Sequence, residues 1–145
     1  MQATPASCPL LGYRREGMGI PENDVARVII DCAFRIYREL GSGMLESAYE
    51  AVLAFELTQR GFHVRLQVPV PLIWNGLQVK ECFRADMVVN DLVLVELKSV
   101  ENLVPVHKKQ VITYLRLTGL RLGLLINFGA RVFQEGVQRL VNGLP

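Results

Sequence analysis

Residues 93–98 read VLVELK, and this stretch limits the fold more tightly than any other. An aliphatic run of this kind belongs in the middle of a β-sheet. Yet it ends by carrying a carboxylate and an ammonium. Side chains on a strand alternate between faces, so Leu94, Glu96 and Lys98 share one face while Val95 and Leu97 take the other. A lone buried carboxylate is strongly unfavourable, so Glu96 needs a partner. A Glu96–Lys98 pair at the rim of the sheet is the simplest explanation, and such a tripeptide is common by chance.

The preceding strand shifts the balance. Asp86 lies ten residues before Glu96, in RADMVV, and Asp is disfavoured in strand interiors. Two carboxylates brought side by side repel unless a proton or a cation lies between them. A divalent ion answers this directly, since Mg²⁺ or Mn²⁺ takes one or two carboxylates together with phosphate oxygens and waters. Lys98 is then placed to polarise an attacking water or to stabilise charge on a phosphate. Register decides whether the carboxylates meet. A two-residue loop at Asn90-Asp91 pairs Asp86 with Val95 and sends Asp86 and Glu96 to opposite faces. An odd loop, such as Asn90-Asp91-Leu92, or a nearby bulge brings them together.

The rest of the chain supplies a frame for that pair. Between Glu22 and Leu40, apolar residues recur at steps of three and four, which predicts a helix with one buried stripe. GSG at 41–43 ends it, and a second helix follows from Met44 to Arg60, capped by Gly61. Phe62, Val64, Leu66 and Val68 alternate with polar residues as in a half-buried strand, which Pro69 and Pro71 confine to a sheet edge or a bulge. Asn75-Gly76 predicts a hairpin turn into a strand over 77–89, and a third strand runs over 92–98. Pro105 opens a helix that ends at Thr118 before Gly119, and LGLLINF at 122–128 is another buried strand. The remainder forms a short strand or a helical turn.

The expected order is therefore α-α-β-β-β-α-β, an α/β fold with a mixed central sheet flanked by helices. Residues 1–20 read as an irregular extension and 21–145 as one domain, the usual number for 145 residues. A formal net charge of +2 gives no general polycation argument for nucleic acid, so any such role must come from a local site. Cys8, Cys32 and Cys82 are scattered without a CxxC pair, which argues against a zinc or iron–sulfur site and fits a reducing cytosol, hence a cytoplasmic protein. No apolar run reaches membrane-spanning length, and the first residues do not resemble a signal peptide.

Asp86-x9-Glu96-x-Lys98 resembles the PD-(D/E)XK motif of a large superfamily of metal-dependent nucleases. GMLESAY at 43–49 matches the G-x-x-E-x-x-Y motif of the GxxExxY proteins, small bacterial members of it. The likeness runs from about residue 22 to 129. It implies a restriction-endonuclease-like core and a Mg²⁺- or Mn²⁺-dependent phosphodiesterase acting on nucleic acid, DNA foremost. Carried over by position, Asp86 and Glu96 hold the metal, with the backbone carbonyl of Leu97 as a further ligand, and Lys98 is catalytic. Glu46 matches a helical acidic residue that reaches the metal or its waters. Gln110 and Tyr114 match a Q-x-x-x-Y pattern of RecB-like exonucleases, one helical turn apart and able to meet phosphates or the lysine. Lys108 and Lys109 are candidates for backbone phosphate contact, against the plainer reading of a solvated helix start. Ala85 replaces the motif's proline, and Phe83 stands where many members have tyrosine.

Structural readings stand beside these. Glu46 at a helix start also suits the macrodipole. Tyr49 reads as core, His107 as solvent-exposed, and Trp74 as a packing residue rather than a base-stacking one. Gln110 and Tyr114 can equally tie their helix to the sheet. The rival function is a non-catalytic nucleic-acid-binding or protein-interaction module that keeps the nuclease fold, and a weaker one is a hydrolase of another phosphate ester. Small nucleases of this kind often dimerise, so a homodimer is a further expectation of the resemblance.

Overall fold

Helix α1 (Pro21–Leu40) forms where the three- and four-residue spacing predicts it, and the stripe Val25, Val28, Ile29, Cys32, Ala33 and Ile36 is buried. Gly41 follows in the left-handed conformation, at φ 70°, with its N–H on the carbonyl of Tyr37. Helix α2 (Glu46–Gln59) starts two residues later than expected and buries Tyr49, Leu53 and Leu57. These observations come from a computed structural model that describes residues 21–144, with side chains left out at 81 and 82. The extension expected over residues 1–20 lies outside the described residues.

Strands β1 (Val64–Trp74) and β2 (Leu77–Val89) form a long antiparallel hairpin closed by Asn75-Gly76, both at positive φ as such a turn requires. β3 (Val93–Lys98) pairs antiparallel with β2. Helix α3 (Pro105–Thr118) then carries the chain over the sheet, so that β4 (Leu122–Asn127) lies parallel to β3. A 3₁₀ turn (Phe133–Gly136) leads into β5 (Val137–Val141), antiparallel to β4. The C-terminal remainder thus holds both the strand and the helical turn that its sequence left open. Among the described residues the sheet has five strands in the order β1-β2-β3-β4-β5. It is mixed and flanked by helices, as expected.

β1 is an edge strand with a register irregularity between Val70 and Leu72, so both fates open to the Pro69–Pro71 segment occur. Its alternation, however, does not hold one face. Val64 packs into the core under α1 and α2, whereas Val68 and Val70 pack against α3. The faces exchange between Leu66 and Val68, where Gln67 takes φ 50°.

Two apolar cores sandwich the sheet. On one side α1 and α2 cover Val93, Val95, Leu97, Leu122, Leu124 and Ile126. On the other, Val111, Tyr114 and Leu115 of α3 cover Leu94 and Leu125. β3 is therefore covered on both faces with its alternation intact, which explains its unbroken aliphatic run. No described helix is long and apolar enough to cross a membrane.

Candidate active site

β2 and β3 are joined by the three-residue loop Asn90–Leu92. Val89 pairs with Val93 and Met87 with Val95. Asn90 and Asp91 both sit at φ 53°, and the Leu92 N–H donates to the Val89 carbonyl at 3.0 Å. This is the odd loop that the carboxylate pair demands. Continued one step, the register sets Asp86 opposite Glu96.

At that step the backbone ladder gives way to side chains. The Asp86 N–H donates to Glu96 Oε1 at 2.9 Å, and the Leu97 N–H donates to Asp86 Oδ2 at 2.9 Å. Each carboxylate is thus fixed by the backbone of the other strand, in the fork where β2 and β3 part. Glu96 is 3% exposed. Its pKa is pushed up to about 8, first by burial and then by the charge of Asp86, against the pull of the Asp86 N–H and of Lys98. Neither carboxylate has an ion-pair partner among the described residues. The Glu96–Lys98 rim salt bridge is therefore not formed, although Lys98 lies close enough to favour the charged form of Glu96.

Three elements complete the surroundings. Glu46 opens α2 and faces a cleft of about 720 Å³ that Asp86 also lines. Its Oε1 accepts the Ser99 N–H at 3.3 Å, and the Ser99 hydroxyl donates to the Met44 carbonyl at 2.8 Å. Glu46 thus stands at once at a helix start and in the wall of the cleft. Lys98 is half-buried at the end of β3, and its carbonyl accepts the Phe128 N–H at 2.8 Å. The side chain of Leu97 belongs to the α1–α2 core.

Gln110 and Tyr114 lie on α3, across the sheet from that cleft. Gln110 Nε2 donates to the Tyr114 hydroxyl at 2.9 Å, and Tyr114 packs edge-on to Phe83. Burial raises the Tyr114 pKa, and the charge of Glu96 adds to it. Tyr114, rather than the pair, ties α3 to the sheet, with its hydroxyl in reach of the Glu96 field. Lys108 and Lys109 are exposed on the same helix.

Two expectations need correction. His107 is half-buried, and its Nδ1 accepts the Val104 N–H at 3.2 Å, which closes the first turn of α3. Trp74 does not pack: it is 68% exposed at the hairpin tip, where, among the described residues, β1 and β2 pair only with each other. Tyr49 is core, as expected. It stacks on Phe128 at 4.2 Å and donates to the Gly41 carbonyl at 2.6 Å, pinning the glycine turn to α2.

The sequence reading passed over Glu50, Gln67, Ser99 and Asn127. Glu50 sits one turn after Glu46 on the same face of α2, a spacing that was available as a signal. Burial and then the Asp86 charge raise its pKa, while Gln67 Nε2 donates to its Oε2 at 2.8 Å. Asn127 is 1% exposed. Its amide meets both the N–H and the carbonyl of Val100, and its Oδ1 also accepts the Gly129 N–H. It anchors the chain just beyond Lys98.

Among the described residues no three His, Cys, Asp or Glu side chains converge into a ready cation cage. The chemistry at the fork nonetheless suits a hard divalent cation, since it brings together the carboxylate oxygens of Asp86 and Glu96 with no ion pair to either among the described residues. No curated protein and no solved structure matches the chain. A family model matches residues 23–140, from the start of α1 into β5. On that match the chain belongs to the PD-(D/E)XK nuclease superfamily.

Proposed function

We propose that the protein is a Mg²⁺- or Mn²⁺-dependent nuclease that hydrolyses phosphodiester bonds of nucleic acid, DNA foremost. The superfamily is one of nucleases, which makes a nucleic-acid phosphodiester the substrate class and a divalent metal the usual cofactor. One observation carries the finer reading: two mutually anchored carboxylates, Asp86 and Glu96, meet in the fork of β2 and β3 without an ion-pair partner, and Lys98 lies beside them.

In this reading Asp86 and Glu96 hold the ion, with the Leu97 carbonyl as a further ligand and Glu46 reaching it directly or through water. When bound, a divalent ion would supply charge neutralisation at the phosphate and a more acidic water. Lys98, held rigidly at the end of a strand covered on both faces, steadies charge on the phosphate or orients the attacking water. The two backbone N–H bonds keep the carboxylates from rotating away, so the site is preorganised rather than assembled on binding. Gln110, Tyr114, Lys108 and Lys109 contact nucleic acid along α3, on the face of the sheet that Glu96 shares with Leu94.

The test is a Mg²⁺/Mn²⁺ cleavage assay on linear, circular and single-stranded DNA. Asp86→Ala, Glu96→Ala and Lys98→Ala should each lower the rate by about a hundredfold or more while leaving the circular dichroism spectrum unchanged. Undiminished metal-dependent cleavage by all three sinks the assignment. Calorimetric titration with Mn²⁺ separates it from a non-catalytic module, which has no reason to bind the ion.

A further inference from the structure

Gln67 is a solvent-exposed glutamine in the middle of an edge strand, yet its backbone is left-handed at φ 50°. Residues with a Cβ visit this region rarely, and within a strand it breaks the pleat. Its place in the register is telling. Leu66 pairs with Met87 and Val68 with Ala85, so Gln67 stands opposite Asp86, and the ladder skips that one pair.

Both strands change face there. Before it, Val64 of β1 and Met87 and Val89 of β2 pack towards α1 and α2. Beyond it, Val68 and Val70 of β1 and Phe83 and Ala85 of β2 pack towards α3. An unbroken strand would keep residues an even number apart on one face. The hairpin therefore rolls by about half a turn, and the roll is centred on Gln67 and Asp86. Through it Asp86 leaves the regular sheet surface and lines the cleft shared with Glu46 and Glu50. The Gln67 side chain reaches the facing helix, where its Nε2 donates to Glu50 Oε2 at 2.8 Å.

We propose that Gln67 is a positioning residue for Asp86: its left-handed backbone sets the roll that turns the Asp86 carboxylate towards α2. The proposal rests on the nuclease reading, in which Asp86 holds the metal. Gln67 lines the same cleft as Asp86 and Glu46, and in this proposal it acts through the backbone of the strand beside it.

The experiment compares the wild type with Gln67→Val, Gln67→Ala and Gln67→Gly, by calorimetric titration with Mn²⁺ alone and by steady-state cleavage of DNA. A thermal melt of each checks that it folds. Valine, being β-branched, resists positive φ and should weaken Mn²⁺ binding by about tenfold. It should lower kcat to a similar degree with KM for DNA within about twofold. Alanine is the gentler change in the same direction, and it carries the test if the valine variant fails to fold. Glycine adopts the conformation freely and should stay within about threefold of wild type for both readouts.

Wild-type Mn²⁺ affinity in the valine or alanine variant overturns the proposal. So does a glycine variant as impaired as the alanine one, because the backbone conformation would then not be the device. A loss carried by KM rather than kcat also overturns it, since a misaimed carboxylate does not weaken DNA binding in that way. A wild-type protein that neither binds Mn²⁺ nor cleaves DNA instead overturns the nuclease reading on which the proposal stands, and the proposal with it.

Discussion

Glu96 carries the electrostatic tension of the fold. In the metal-free protein its folded pKa, pushed up to about 8, exceeds the ordinary 4.5, because burial and Asp86 both penalise the charged form. The sign follows from linkage. Below pH 4.5 the group is protonated folded or unfolded, and its shift has no effect on stability. As pH rises from there towards about 8, the unfolded chain sheds the proton while the folded one retains it, so stability is lost across that window. Urea melts in chelator should show unfolding free energy falling between these limits in the wild type and falling less in Glu96→Gln, which cannot ionise. An equal fall in both would place the effect elsewhere. Asp86, Glu96 and Lys98 were legible because carboxylates at a strand end need an explanation. Gln67 was not, because a glutamine in a strand carries no mark of its φ. Asn127 was hidden as the one polar residue of the apolar run LGLLINF, where only the tertiary fold reveals that it clamps Val100.

At the scale of elements, helix α3 and strand β4 meet more closely than an ordinary pair. Gly123 faces α3, and a Cβ there would lie 2.7 Å from Val111 Cγ1 and 3.3 Å from Leu115 Cδ1. The short, branched Val111 side chain has little room to yield. Gly123→Ala should therefore cost about 1–3 kcal/mol through overpacking, read as a lower urea midpoint with an unchanged slope. A neutral result would mean that α3 is free to shift. The helices and β2–β4 were readable from period and punctuation, with errors of a residue or two at their ends. The exchange of faces within β1 was not, since the pattern of Phe62, Val64, Leu66 and Val68 is equally compatible with a strand that keeps one face. That Val64 packs under α1 and α2 while Val68 packs against α3 is visible only in the folded protein.

For the molecule as a whole, the sheet is a platform covered on both faces, and the proposed site lies at the end where β2 and β3 part. A cation taken up there binds the folded state and not the unfolded one, so it must stabilise the fold by mass action. Mn²⁺ at roughly a hundredfold excess over its dissociation constant should add about 2.7 kcal/mol, seen as a rise in Tm for the wild type and none for Asp86→Asn. A rise of equal size in both would assign the ion to another place. The mixed architecture followed from element order. The remaining uncertainty at that scale lay in the loop: whether Asn90–Leu92 counted two residues or three decided if the carboxylates would ever meet.

The exposed hairpin tip has an optical consequence. Trp74 is the one tryptophan in the chain and stands 68% exposed in the folded protein, so its emission belongs to a water-bathed indole before any denaturant is added. Unfolding hardly changes that environment, and intrinsic fluorescence will follow loss of the core poorly. Anything that covers the arm will instead shift the emission to the blue. The chain thus carries its own reporter for contact at the tip of β1 and β2, while its folding must be followed by the signals of its helices.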